Sequence, residues 1–316
     1  GFGVYWERLQ NFGVPCHSLS PHKFLPLYVT NLAKLLHRGR FHVVHCHLIA
    51  ANLIAKPLAA LLGVPILFNH DQCNDVFRYR QRLRLRLDAL ANRLTDQIIA
   101  VSASTRKFLL EWEKIDPGKV ALIYNAVDVE RFFPASPQER LACRQKFGLP
   151  EQVPLVLGAG RLQPQKNFPG FLKTAALVAR QVPAARFVIA GDGPDLAALQ
   201  HQAQQLGLGE RLQFLGFVDD MADLYRASDA LLFPSWYEGT PMTVLEAMAS
   251  GLPVVASGID GTAEILTDGV DAFLAPPEAQ QFFAARLAAL LQDRSLAQRL
   301  AANALARVRR DFAAPV

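Results

Sequence analysis

Short apolar runs alternate along this chain with longer stretches whose apolar residues recur at helical spacing. In the first half the runs predict strands over Val43–His47, Ile66–Asn69, Gln97–Val101 and Val120–Tyr124. In the second half they predict strands over Leu155–Ala159, Phe187–Ala190, Leu212–Leu215, Ala230–Phe233, Val254–Ala256 and Ala272–Leu274. Runs rich in Val, Ile, Leu and Phe, each separated from the next by about one helix, point to parallel sheets covered on both faces. The pattern occurs twice, so the expectation is an α/β chain of two doubly wound units. Pro134, Pro137, Pro150 and Pro154 cluster at the seam around a short charged helix, Gln138–Phe147. The expected domains are therefore 1–145 and 146–316, with a ligand cleft between them at the carboxyl ends of the strands. At the start, Tyr5–Phe12 reads as the end of a helix, Gly13 as its stop and Pro15–Leu19 as a strand. The longest apolar stretch, Leu48–Phe68, is broken by Asn52, Lys56, Pro57, Gly63 and Pro65. It fits a buried helix followed by a strand rather than a membrane span.

Composition narrows the class. At 316 residues, 51% hydrophobic and 19% charged, the chain is globular and long enough for two cores. Its four cysteines, Cys16, Cys46, Cys73 and Cys143, show no C-x-x-C spacing, which argues against a disulfide framework or a zinc finger and for reduced thiols in a cytosolic chain. Cys46 sits between His45 and His47, but neighbours on a strand point to opposite faces, so this run does not by itself converge on an ion, and no metal site is expected. Net charge is +5, unevenly spread: residues 1–146 carry 20 Lys+Arg against 11 Asp+Glu, and residues 147–316 carry 13 against 17. A basic first half suits an anionic acceptor or a membrane surface, or reflects acids in a part of the domain outside this sequence. No nucleic-acid module or interleaved aromatic pattern accompanies the charge.

The densest chemistry lies in Glu238-Gly239-Thr240-Pro241-Met242-Thr243-Val244-Leu245-Glu246, between the run Asp229–Phe233 and the segment Gly251-Leu252-Pro253-Val254-Val255. It reads as strand, loop, helix, turn, strand. Thr240 is expected as the N-cap and Pro241 as the first helical residue, which leaves the helix amides free beside Glu238 for a phosphate. Two glutamates at this spacing alone fit a solvated helix; the flanks make the pattern specific. With them, the segment resembles the E-x7-E signature of retaining GT-B glycosyltransferases, glycosyltransferase family 4.

That resemblance implies a GT-B fold of two Rossmann-like domains, with the first apparently truncated at its amino end. It implies that Glu238 contacts the donor sugar and Glu246 the ribose, with Gly239, Thr240, Pro241 and Met242 around the phosphates. Gly158-Ala159-Gly160-Arg161 through Lys166-Asn167 is similar to the family's loop in which Arg161 and Lys166 grip the donor diphosphate. Two cations suit a leaving group whose charge grows as the bond breaks, Arg binding two oxygens and Lys acting as a point charge. The pair stands in place of a metal, and the sequence has no Asp-x-Asp motif. Gly191-Asp192-Gly193-Pro194 resembles the family's G-x-G-P turn beside the donor. Phe214–Val218, with Phe217, resembles the segment beside the nucleobase. Neither glycine cluster completes a dinucleotide fingerprint. In the first half, His70 matches a family histidine near the reacting centre. Val101–Ser104 and Tyr124–Asp128 resemble two further turns, with Ala126 where the family usually has Gly. Asn125 is read as structural or as a support behind the site, Glu264 as a helix cap or a support of the site, with the structural role favoured, Asp219 and Asp220 as turn and cap residues, and Asp268-Gly269 as a turn before the last strand. Arg307–Phe312 reads as the start of a closing helix.

Arg78, Arg80, Arg82, Arg84 and Arg86 precede or flank Leu83, Leu87, Leu90 and Leu94, which share one helix face. Such a segment fits either a helix packed over the core or a basic amphipathic helix on anionic lipid. The family implies transfer of a sugar from a nucleotide-diphosphate donor (UDP-sugar or GDP-sugar) to an acceptor hydroxyl with retention, water being excluded by domain closure. No cofactor is implied. The acceptor is open, with lipid-linked or anionic acceptors in cell-envelope polysaccharide or glycolipid synthesis as the expectation, in the cytoplasm or at the inner face of the membrane. A GT-B nucleotide-sugar 2-epimerase and a non-catalytic sugar-nucleotide-binding module are the alternatives.

Overall fold

A computed structural model of the chain describes residues 4–19, 25–72 and 82–315. Among them are ten strands in two sheets. Compactness divides the chain into two units. The first holds residues 4–71, 82–99 and 109–121, and the second holds residues 72, 100–108 and 122–315. The sequence places the division at residue 145; by contacts, residues 122–145 go with the second unit. The reason is local. Helix Pro137–Lys146 is capped by Ser136 and Glu139 acting reciprocally, and it is pinned by Arg144. That guanidinium is buried, donates to the carbonyls of Ala227, Pro150, Glu151 and Val153, and pairs with Asp229 at 2.7 Å.

The first unit carries β1 (Val43–His47), β2 (Ile66–Asp71), β3 (Gln97–Ala100) and β4 (Val120–Leu122) in that spatial order. β1 and β2 run parallel, with His47 opposite His70. Helix Val4–Asn11 ends where Gly13 takes a positive φ of 74°. Pro15–Leu19 forms no strand. Its polar anchor is the Asn31 amide, which donates to the Leu19 carbonyl at 2.8 Å, and Pro15 lacks the N–H a ladder needs. The stretch after β1 is a helix, Ile49–Leu61, that leads to β2. Lys56 on that helix is fully buried. Its ammonium donates to Asn92 Oδ1 and to Thr95 Oγ1 (3.2 Å), while the Asn92 amide donates to Glu113 Oε2 at 2.6 Å. Burial lowers the Lys56 pKa to about 8, against the upward pull of Asp88, Cys46, Glu113 and Asp71.

This network reverses the apolar reading of the arginine-rich segment. Helix Arg82–Arg93 turns Asp88, Ala91 and Asn92 inward. Leu83, Leu87, Leu90 and Leu94 are all exposed, Leu83 at 73%. The polar face packs because Lys56 offers it a partner, so the leucine stripe faces solvent. Cys73, Arg78 and Arg80 lie outside the described residues.

The second unit carries β5 (Leu155–Ala159), β6 (Arg186–Ala190), β7 (Leu212–Gly216), β8 (Ala230–Phe233), β9 (Val254–Ser257) and β10 (Phe273–Ala275). Their spatial order is β10-β9-β8-β5-β6-β7, and the recorded pairs are parallel. Alternation explains why these strands read as continuous apolar runs. Leu155, Leu157, Leu231, Phe233 and Val254 face one buried cluster, while Val156, Phe187, Ala230, Leu232 and Val255 face the other. The chain order reverses between β5 and β8, and such a reversal opens a crevice at the carboxyl ends of those strands. Arg307–Phe312 proves to be the end, not the start, of a helix: Arg294–Asp311 is one element, and the chain beyond it pairs with Val127 within the same unit.

Candidate active site

The loops after β5, β6, β7 and β8 all leave the sheet at its carboxyl end. After β5, Gly160 takes a φ of 143° and the chain turns into Arg161–Lys166. After β6, Gly191 lies so close to this loop that an added Cβ would meet the Gly160 carbonyl oxygen at 1.9 Å. At Gly193 an added Cβ would meet the Leu162 carbonyl oxygen at 2.3 Å. Both loops therefore press together only because these positions lack side chains. The loop after β8 is tied to the loop after β5. The Trp236 amide donates to the Gln165 carbonyl at 2.9 Å, Gln165 Nε2 to the Tyr237 carbonyl at 2.9 Å, and Asn167 Nδ2 to the Pro234 carbonyl at 3.0 Å.

This zipping brings Lys166 Nζ to 2.6 Å from Glu238 Oε1, with both side chains largely buried. The ammonium also sits 5.1 Å from the centre of the Phe233 ring. A cavity of about 330 Å³ opens in the same region, lined by Gly160, Arg161, Gly191, Phe217, Tyr225 and Glu246, among others. Arg161 is exposed on its wall and has no ion-pair partner among the described residues. Glu246 stands on helix Met242–Ala249 and accepts from the Tyr225 hydroxyl at 2.8 Å. Burial raises its pKa, while the Tyr225 hydroxyl and the Arg131 charge pull it back. A larger cavity, about 620 Å³, lies where Arg140, Arg144 and Arg294 gather. Arg140 and Arg144 there are already paired with Asp229, and none of the motif residues lines it.

Thr240 does not cap the helix. Its hydroxyl donates to the Val101 carbonyl, and Pro241 occupies the N-cap with φ −74° and ψ 111°. A proline there brings no side-chain acceptor, and the Pro241 carbonyl accepts from the Val244 amide at 3.1 Å. Gly239 is held as tightly as the loop glycines, since a Cβ there would meet the Gln72 carbonyl oxygen at 2.3 Å. Asn125 is structural, its amide donating to the Thr240 carbonyl at 3.0 Å. Glu264 caps helix Ala103–Glu111, accepting from the Ala103 amide at 2.6 Å and the Ser104 amide at 2.8 Å. Asp220 caps helix Met221–Ala227, and Asp268 accepts from the Leu274 amide at 2.8 Å.

The structure thus gathers Arg161, Gly160, Gly191, Phe217 and Glu246 around one cavity and joins Lys166 to Glu238 beside the same loops. His70 belongs to the first unit, on β2, where its Nε2 is buried without a hydrogen-bond partner among the described residues. Sequence reasoning missed Tyr225, Gln165 and Asn167. Tyr225 sits on an ordinary amphipathic helix, and only the approach of Met242–Ala249 gives its hydroxyl a task. Asn167 had a signal: it stands just before Phe168-Pro169, the N-cap position of a helix, and it takes a left-handed φ of 51°.

The family model for glycosyl transferases group 1 matches residues 139–307, and that for glycosyltransferase family 4 matches residues 7–131. The chain belongs to the glycosyl transferases group 1 family. The UDP-Gal:alpha-D-GlcNAc-diphosphoundecaprenol alpha-1,3-galactosyltransferase of Escherichia coli is 30% identical over 278 residues, covering 85% of this chain and 71% of that protein. The D-inositol 3-phosphate glycosyltransferase of Streptomyces griseus is 31% identical over 234 residues, covering 67% of this chain and 50% of that protein. Among solved structures, Anabaena HepE in complex with UDP-glucose superposes with a TM-score of 0.87 at 24% identity, covering 99% of this chain and 86% of that one. This family member is therefore a glycosyltransferase with the GT-B fold.

Proposed function

We propose that this glycosyltransferase moves a sugar from a nucleotide-diphosphate donor to an acceptor hydroxyl with retention of configuration, and without a metal ion. The observation that carries the reading is the cavity at the carboxyl ends of β5, β6 and β7, lined by the exposed Arg161 and the anchored Glu246, with the Lys166–Glu238 pair on the neighbouring loops. In this reading Glu246 holds the ribose hydroxyls, and the backbone beside Phe217 meets the base. Arg161, Lys166 and the helix amides at Thr243 and Met242 take the diphosphate. Lys166 is held by Glu238 before the donor arrives. An entering phosphate draws the ammonium away, which frees the Glu238 carboxylate to accept from the sugar hydroxyls. As the sugar–oxygen bond breaks, negative charge grows on the diphosphate oxygen, and the fixed cations stabilise it. That oxygen then takes the acceptor proton as the acceptor hydroxyl attacks the same face, so the proton and charge balance without a protein nucleophile.

A lipid-linked acceptor at the inner face of the cell membrane, in envelope polysaccharide or glycolipid synthesis, is the favoured context. The support is the exposed leucine stripe Leu83, Leu87, Leu90 and Leu94 flanked by Arg82, Arg84, Arg86 and Arg93, together with the diphosphoundecaprenol acceptor in the name of the Escherichia coli relative. Among the described residues no helix is long and apolar enough to cross a membrane. The test is a panel of labelled UDP- and GDP-sugars offered with polyprenyl-diphosphate sugars in vesicles. Transfer product is expected from one donor, and Glu246→Ala and Lys166→Ala are each expected to abolish donor binding or turnover. Undiminished activity in both variants removes the site assignment. Release of an epimer, or binding without turnover, favours the epimerase or the binding module instead.

A further inference from the structure

Strand β1 presents His45 and His47 two residues apart, hence on one face, while Cys46 points the other way into the core. The parallel register sets His47 directly beside His70 on β2. The three rings form one cluster. The centroids of His45 and His47 lie 4.3 Å apart, those of His47 and His70 5.0 Å, and those of His45 and His70 5.7 Å with the planes nearly parallel. One ring nitrogen from each lies within 4.8 Å of the other two. We propose that His45, His47 and His70 form a binding site for a divalent transition-metal ion of the zinc class.

Three imidazoles and no thiolate make a donor set that zinc, nickel or copper takes readily and magnesium or calcium does not. Tetrahedral zinc at about 2.0–2.1 Å from each nitrogen needs nitrogens roughly 3.4 Å apart. The widest nitrogen separation must close by up to about 1.4 Å. His45 and His47 are exposed, so turning their rings displaces no core side chain. His70 Nε2, buried and lacking a hydrogen-bond partner among the described residues, gains from an ion the contact it otherwise forgoes. Three protein ligands leave a fourth position for water or a substrate oxygen.

The test begins with calorimetric titration of the metal-stripped full chain with zinc chloride, beside His45→Ala and His47→Ala. One zinc per chain is expected for the wild type, with affinity weakened at least about tenfold in each variant. Cobalt in place of zinc is expected to give d–d bands without a thiolate charge-transfer band. The proposal is overturned by an absence of stoichiometric zinc in the wild type, by wild-type affinity in both variants, or by a thiolate band that would place the ion on a cysteine. A chain that binds zinc but transfers no sugar contradicts the enzymatic reading and not the site.

Discussion

Tyr225→Phe removes one hydroxyl from the cavity wall, which donates to Glu246 at 2.8 Å and also meets the Thr243 side chain. The ring keeps its edge-to-face packing with Phe132 at 5.9 Å, so the core is not emptied. A hydrogen bond to a charged group contributes about 1.5–3 kcal/mol, and the lower end applies here because water in the open cavity can replace the lost donor. About 1.4 kcal/mol is tenfold in affinity, so the dissociation constant for UDP is expected to rise roughly tenfold at neutral pH. The pH profile gives a second, sharper readout. The pKa of Glu246 is raised by burial and restrained by the Tyr225 hydroxyl. Losing that hydroxyl raises it further, so the acid limb of UDP binding moves to higher pH. The sign of the linkage follows: a carboxyl whose folded pKa exceeds its unfolded value favours the fold at low pH, and that contribution is lost as pH rises through the folded value. In the variant this loss is larger and extends to higher pH. Calorimetric titration with UDP across pH, with melting curves on the same samples, measures all three. Wild-type affinity with an unmoved acid limb would refute the claim that Tyr225 positions an ionised Glu246 for the nucleotide.

Glu264→Ala removes the carboxylate that accepts from the Ala103 and Ser104 amides, leaving Ser102 Oγ on the Thr105 amide, and is expected to cost about 1–2 kcal/mol, read as a melting temperature several degrees lower. Arg144→Ala leaves Asp229 without its most buried partner and four carbonyls without a donor; a loss of about 3–5 kcal/mol is expected in denaturant titration, with unfolding rather than a selective loss of UDP affinity as the outcome. Gly191→Ala forces a methyl against the Gly160 carbonyl at a φ of 147°, so the two loops must part. UDP affinity is expected to fall by two orders of magnitude or about that, at a stability cost of about 1–3 kcal/mol, and a variant that melts and binds like the wild type would show the loops to be more pliable than their contacts imply.

The linear pattern determined the parallel strands of both units to within a residue or two. In the second unit strands such as β5, β8 and β9 are buried on both faces, which requires largely apolar positions and leaves a continuous signature. It also determined the helix after β8 and the loop glycines, because helix stops and close backbone approaches each require particular residue types. The turn at Asp268 was legible for the same reason, whereas the Glu264 carboxylate reaches amides more than a hundred residues away in sequence. Tertiary structure decided the rest. Thr240 satisfies the local rule for an N-cap, yet its hydroxyl is taken by the Val101 carbonyl, more than a hundred residues away in sequence. The leucines of Arg82–Arg93 form a proper apolar stripe, yet the helix buries its opposite face, because Lys56 makes Asp88 and Asn92 the cheaper residues to enclose. Helical spacing states which residues share a face and not which face meets a partner. Likewise the run His45-Cys46-His47 cannot assemble three ligands alone; the register of a second strand supplies His70. Partners that come from distant segments leave no trace in spacing, so the pairings that shape the cavity and the histidine cluster were set only when the sheets closed.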